Sequence, residues 1–188
     1  MFTIPNLLTL GRLLLVPCFL VVSMRGMYVT AFVLFVSAAV TDILDGMIAR
    51  RWNLRSKFGA LFDPAADKLL MVSGFLFYTF ARGLPLARIP GWLTFTVFAR
   101  DFMIVFFVYL MYTRIQIRKF PPTVLGKIST LLQAITLATV IAVNAFLPGW
   151  KTLAEVLFRV SLVLTLASGW GYLYRANHIV LDTAAEAK

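Results

Sequence analysis

Acidic side chains are scarce in this sequence: 8 Asp and Glu stand against 18 Lys and Arg, with a single histidine and a single cysteine in 188 residues. A lone cysteine, Cys18, excludes an internal disulfide; lying in an apolar run, it is expected to pack as a small hydrophobe. His178 is near the end of the chain with no cysteine or second histidine beside it. That argues against zinc, haem or thiol chemistry. No internal repeat and no low-complexity tract is found. Polar stretches are also short, and a 61% hydrophobic composition excludes an ordinary soluble domain.

What is present is a succession of apolar runs, at about 7–24, 29–48, 59–81, 91–113, 124–147 and 152–174, each near the ~20 residues that cross a bilayer. The expected fold is an all-α integral membrane protein with six transmembrane helices. It forms one membrane domain over 1–188, with a short frayed tail from about residue 176 (…LDTAAEAK). The first run contains Arg12, lacks a basic start and lacks a small-residue cleavage site, so it does not read as a cleavable signal peptide. Pro17 is expected to kink it. The formal charge of +10 reflects topology and anionic lipid rather than nucleic acid. With six spans, Arg50, Arg51, Arg55, Lys57, Arg114, Arg118, Lys119, Arg175 and Lys188 fall on one side, and Arg25, Arg82, Arg88 and Lys151 on the other. The excess of positive charge places the first side, with both termini, in the cytoplasm.

The acidic residues are not spread evenly. Four of the eight, Asp42, Asp45, Asp63 and Asp67, lie between residues 42 and 67, at the facing ends of the second and third apolar runs. Carboxylates at membrane depth are rare and mark function. Asp42 and Asp45 are spaced i, i+3, and Asp63 and Asp67 i, i+4, so each pair shares a helical side. Asp42 precedes Arg50 by about 12 Å of helical rise, and Asp67 follows Lys57 by about 15 Å, so the pairs sit at similar depth on antiparallel neighbours. Four carboxylates need a shared counter-charge, and a divalent metal supplies it. Gly46, Ala49 and Gly59 remove side-chain bulk beside them, where a helix or a ligand can approach. Arg50 shares a side with Asp42 and Gly46 and is a candidate phosphate contact. Pro64 leaves two possibilities open: a helix starting beside Asp63, or one that began near Gly59 and is kinked.

The stretch reads D-x2-D-G-x2-A-R-x8-G-x3-D-x3-D, with Asp42, Asp45, Gly46, Ala49, Arg50, Gly59, Asp63 and Asp67 at its fixed positions. It resembles, without departure, the signature of the CDP-alcohol phosphatidyltransferase (phosphotransferase) family. The opening IPNLLTLGRLLLVP and the segment FGALFDPAADKLL resemble phosphatidylglycerophosphate synthases of that family. ARDFM at 99–103 and PTVLGKISTLLQ at 122–133 are closer to its cardiolipin synthases. The resemblance implies that a CDP-linked lipid donates its phosphatidyl group to an alcohol and releases CMP, with two divalent cations, Mg²⁺ or Mn²⁺, as cofactors. By motif position, Asp42, Asp45 and Asp63 are implied metal ligands. Asp67 is the implied general base and a further metal contact. Gly46, Ala49, Arg50 and Gly59 are implied to shape the nucleotide and pyrophosphate pocket. The implied partners are CDP-diacylglycerol, membrane lipid and a second copy of the chain. The implied location is the bacterial inner (cell) membrane, with the active site facing the cytoplasm.

The acceptor must be read from the remaining polar residues. Asn6, Thr9 and Arg12 step at threes along the first helix; they either touch the substrate headgroup or cap and snorkel. Arg100 and Asp101 are adjacent in an apolar run. Neighbours in sequence do not face one another on a helix, so each is expected to find its partner elsewhere, Arg100 in the active cavity or in an ion pair across helices. Lys127 opens the fifth run, where topology explains it least, and is favoured as a ligand of the acceptor's phosphate. Lys127, Arg100 and Arg114 together suit glycerol 3-phosphate. Phosphatidylglycerol, which would give cardiolipin, also carries a phosphodiester and is the alternative. A cation transporter using the aspartates as ion sites is the remote one; the spans lack its repeat symmetry. Ser129, Thr130, Gln133 and Asn144 read as isolated polar positions, and Gly169 and Gly171 as close helix packing.

Overall fold

The computed structural model describes the backbone of residues 4–52, 57–114 and 123–186, and within these the side chains outside 4–10, 12, 42–52, 57–67, 112, 114 and 176–186. The described chain is helical. In order come α1 (Ile4–Met24), α2 (Tyr28–Trp52), α3 (Lys57–Phe80), α4 (Gly91–Arg114), α5 (Val124–Ala145), a 3₁₀ turn (Pro148–Trp150) and α6 (Lys151–Glu186). Helices are the natural outcome for long apolar runs, because each backbone N–H and C=O finds its partner within the segment. Among the described residues, Gly91–Met111, Val124–Ala145 and Pro148–Arg175 are long and apolar enough to cross a membrane, while Leu13–Met24, Tyr28–Thr41 and Lys68–Phe80 are shorter apolar helical stretches.

The breaks between helices have local causes. Gly26, at φ +73°, ends α1 in a Schellman arrangement: its N–H donates to the Ser23 carbonyl at 3.1 Å, and that of Met27 to the Val22 carbonyl at 3.0 Å. Pro148 stops α5, and Gly83, at φ +88°, turns the chain after α3. Helix α6 runs on to Glu186, past the point where a frayed tail is expected. Good helix formers in TAAEA allow that continuation.

The chain divides into two compact units, residues 1–89 with 137–154, and 90–136 with 155–188. In the first, α1 packs against both α2 and α3, and α2 also touches α3. Phe19, Ala31, Phe35, Ala38, Phe75 and Tyr78 are buried at this junction. Gly74 lets Leu137 come close: a Cβ added there would stand 2.5 Å from a Leu137 methyl carbon. Asn144 is not isolated. Its side-chain oxygen accepts the N–H groups of Leu86 (3.0 Å) and Ala87 (3.2 Å), and its amide donates to the carbonyls of Ala87 and Val140, both at 2.8 Å. One buried amide thereby satisfies a loop that would otherwise leave backbone donors unpaired.

In the second unit, the start of α5 meets α6 along a seam of hydroxyls. Ser129 lies 3.3 Å from Thr165, Gln133 donates to Thr165 at 3.1 Å and to Ser129 at 3.3 Å, and Thr136 lies 2.8 Å from Ser161. Polar side chains that look isolated in sequence therefore pair across two helices, as apolar surroundings require. Gly169 is buried against Met103, whose methyl carbon would be 3.3 Å from an added Cβ, as expected of a packing glycine. The opposite tendency appears on α4: Phe95, Phe102, Val105 and Tyr109 are exposed at 75, 72, 68 and 62%. So much outward apolar surface suits a lipid environment. Cys18 is also exposed, so it joins the outward face of α1 instead of packing inside.

Candidate active site

The eight signature positions fall on two helices of the first unit. Asp42, Asp45, Gly46, Ala49 and Arg50 lie on α2, and Gly59, Asp63 and Asp67 on α3. Helix α3 begins at Lys57, which decides between the two possibilities left by Pro64: Asp63 lies within the helix, one turn before Asp67. Asn6 and Thr9 lie on α1, which packs against both carboxylate-bearing helices. The side chains of these residues lie outside the described set. Among the described residues no group of three or more His, Cys, Asp or Glu is gathered. The donor set offered by the signature consists of carboxylates alone, and helical backbone carries all four. That chemistry fits a hard, oxygen-seeking divalent cation such as Mg²⁺ or Mn²⁺.

The basic candidates belong to the second unit and are not alike. Arg100 is nearly buried, at 9% exposure, and Asp101 is 15% exposed. Nη1 of Arg100 donates to Asp101 Oδ1 at 2.9 Å, and Nη2 donates to Ser168 Oγ on α6 at 2.6 Å. The guanidinium carbon lies 5.7 Å from the ring centroid of Tyr172. The expectation that Arg100 would bypass its sequence neighbour is therefore corrected. Cβ directions diverge for adjacent helical residues, but an arginine is long enough to fold back onto a short aspartate. Buried charge favours that pair.

Lys127 presents an exposed side chain in the first turn of α5, with its N–H donating to the Thr123 carbonyl at 3.2 Å. Arg114 is the last residue of α4, and its side chain lies outside the described residues. Three residues absent from the sequence reading complete the surroundings of Arg100: Ser168, Tyr172 and Thr123. The available signal was the i, i+4 spacing of Ser168 and Tyr172 on α6. Their link to Arg100, 68 residues from Ser168, needed the fold.

The described residues are helical, three of their helices are of membrane length, and the uninterrupted eight-position signature lies on α2 and α3. The family model for CDP-alcohol phosphatidyltransferase matches residues 2–167. The chain belongs to the CDP-alcohol phosphatidyltransferase family. Among curated proteins, it is similar to the CDP-diacylglycerol–glycerol-3-phosphate 3-phosphatidyltransferase of Aquifex aeolicus (strain VF5), 34% identical over 173 residues, covering 90% of this chain and 93% of that protein. It is likewise similar to the protein of that name in Escherichia coli (strain K12), 34% identical over 186 residues, covering 96% and 98%. A cardiolipin synthase (CMP-forming) of Rattus norvegicus is 29% identical over 197 residues, covering 95% of this chain and 63% of that protein.

Proposed function

We propose that this chain transfers the phosphatidyl group of CDP-diacylglycerol to the primary hydroxyl of glycerol 3-phosphate, giving phosphatidylglycerophosphate and CMP. The observation that carries this reading is the complete aspartate signature on the continuous helices α2 and α3. The acceptor rests on the near full-length likeness to two proteins named for glycerol 3-phosphate. A second reading keeps the donor and takes phosphatidylglycerol as acceptor; the rat relative and the ARDFM and PTVLGK segments favour it.

The residues divide the work as follows. Asp67 takes the proton from the acceptor hydroxyl. The freed oxygen attacks the phosphatidyl phosphorus, the bond from phosphorus to the bridging oxygen breaks, and CMP leaves with that electron pair. Asp42, Asp45 and Asp63, with Asp67, would hold two divalent cations. Such ions supply charge stabilisation at the pyrophosphate during in-line displacement. Gly46, Ala49 and Gly59 leave room for the nucleotide and pyrophosphate, Arg50 contacts phosphate, and Asn6 and Thr9 contribute from α1. Lys127, exposed in the first turn of α5, and Arg114 hold the acceptor's phosphate. Arg100, engaged with Asp101 and Ser168, belongs to the same basic set.

The wider setting belongs to the same proposal. The chain is one membrane domain with six spans. The carboxylates lie at the cytoplasmic ends of the second and third, in the bacterial inner membrane, and the chain pairs with a second copy of itself. Nucleic acid is not a partner. The test is a product assay on purified protein in vesicles containing CDP-diacylglycerol and Mg²⁺, with glycerol 3-phosphate and phosphatidylglycerol offered in parallel. CMP and phosphatidylglycerophosphate with the first acceptor are expected. CMP with phosphatidylglycerol alone would transfer the assignment to cardiolipin synthesis. Metal flux across the vesicle without CMP release would point to transport.

A further inference from the structure

Arg100 joins three helices of the second unit near the start of α5. It reaches α6 through Ser168 and the Tyr172 ring. The buried Tyr172 hydroxyl accepts the backbone N–H of Thr123 at 3.2 Å, and the Thr123 hydroxyl accepts that of Gly126 at 3.0 Å. This last bond caps the first turn of α5. A Cβ added at Gly126 would stand 3.0 Å from Arg100 Nη2 and 3.2 Å from the Tyr172 ring, so bare backbone there is what admits the guanidinium. Lys127 comes next in the chain and projects outward. Ser168 and Tyr172 lie past residue 167, where the family match ends, so the family pattern does not point to them.

We propose, on the reading that Lys127 holds the acceptor's phosphate, that Arg100 is a positioning residue. Through Ser168 and Tyr172 it fixes the Thr123–Gly126 turn, and with it the direction in which Lys127 leaves α5. A side chain 9% exposed, with Nη1 on Asp101, Nη2 on Ser168 and Nε buried without a hydrogen-bond partner among the described residues, has little surface to give a substrate phosphate. Its fork geometry is what spans Asp101 and Ser168 at once, and a lysine cannot reproduce it. Acceptor affinity is thus set partly by residues that never touch the acceptor.

The experiment measures KM for glycerol 3-phosphate, KM for CDP-diacylglycerol and kcat, with thermal unfolding in parallel. The proteins are the full chain and its Lys127→Ala, Tyr172→Phe, Arg100→Lys and Arg100→Lys/Tyr172→Phe variants. Tyr172→Phe keeps the ring under the guanidinium and removes the hydroxyl that accepts the Thr123 N–H. It is expected to raise the glycerol 3-phosphate KM about fivefold and to leave the donor KM within about twofold. Arg100→Lys should raise the acceptor KM at least as much, and the double variant no more than the larger single effect, because both act through one turn. The proposal is overturned if Tyr172→Phe leaves the acceptor KM unchanged while Arg100→Lys raises it, which makes Arg100 a direct ligand. Multiplying effects in the double variant overturn it too. So does an equal rise in both KM values with a lowered unfolding temperature, which is plain loss of structure. Lys127→Ala is the control on the underlying reading: an unchanged acceptor KM there removes Lys127 from the acceptor site, independently of Arg100.

Discussion

The signature aspartates of the first unit and the polar groups of the second are arranged in opposite ways. The first carries its aspartates at fixed register on α2 and α3, four charges within 26 residues of sequence, 42 to 67. The second assembles its polar groups from helices far apart in the chain: Arg100 with Ser168, Thr123 with Tyr172, Gln133 with Thr165. Carboxylates that must work on a shared ligand stay close in sequence, where helix geometry alone sets their spacing. Hydroxyls and amides that must merely be satisfied in an apolar setting take partners wherever packing supplies them. The first arrangement is written locally in the sequence; the second is an interface assembled from helices far apart in the chain.

Substitutions can break that contrast, beginning with the largest effect. Asp42→Asn or Asp45→Asn should lower CMP release by at least about a hundredfold and raise the divalent-cation concentration needed for donor binding. A metal titration of donor binding that does not move would take these residues out of the ligand set. Gly74→Ala comes next, within the same unit but away from the chemistry. The new methyl meets Leu137, which is fully buried, so a loss of about 1–3 kcal/mol in unfolding free energy is expected with the substrate KM values unchanged. Changed KM values would mean that this packing contact governs the site. In the second unit, Lys127→Ala should raise the KM for glycerol 3-phosphate about tenfold, with little change for the donor; a matching rise for both contradicts an acceptor role. Thr136→Val is the mildest. It removes one partner of the Ser161 contact and should cost about 0.6 kcal/mol, read as a small drop in unfolding temperature with normal kinetics. A loss of several kcal/mol would make that seam a main support of the unit.

The same contrast explains what the sequence made legible. The helices were visible because apolar runs of bilayer length leave few other structures open. The aspartates were visible because i, i+3 and i, i+4 spacing is a local property, and the continuity of α3 through Pro64 needed only the backbone. The Arg100–Asp101 pair is not legible from Cβ directions, because the charged end of an arginine lies several bonds farther out. Ser129, Gln133 and Asn144 read as isolated in sequence because their partners on other elements sit 36, 32 and up to 58 residues away. The exposure of Cys18 was equally out of reach, since an apolar run does not say which of its sides faces outward. Length and periodicity are local. Pairing across helices is not.

The central claim is that the signature aspartates perform a CMP-forming transfer, with Asp67 removing the acceptor's proton. The most direct measurement compares wild-type protein with Asp67→Asn in vesicles of CDP-diacylglycerol with Mg²⁺ and glycerol 3-phosphate. CMP release and metal-dependent donor binding are followed side by side. The account predicts a loss of turnover of about 10²–10⁴-fold, the usual contribution of a general base, with donor binding largely retained. CMP release by Asp67→Asn at the wild-type rate would contradict it.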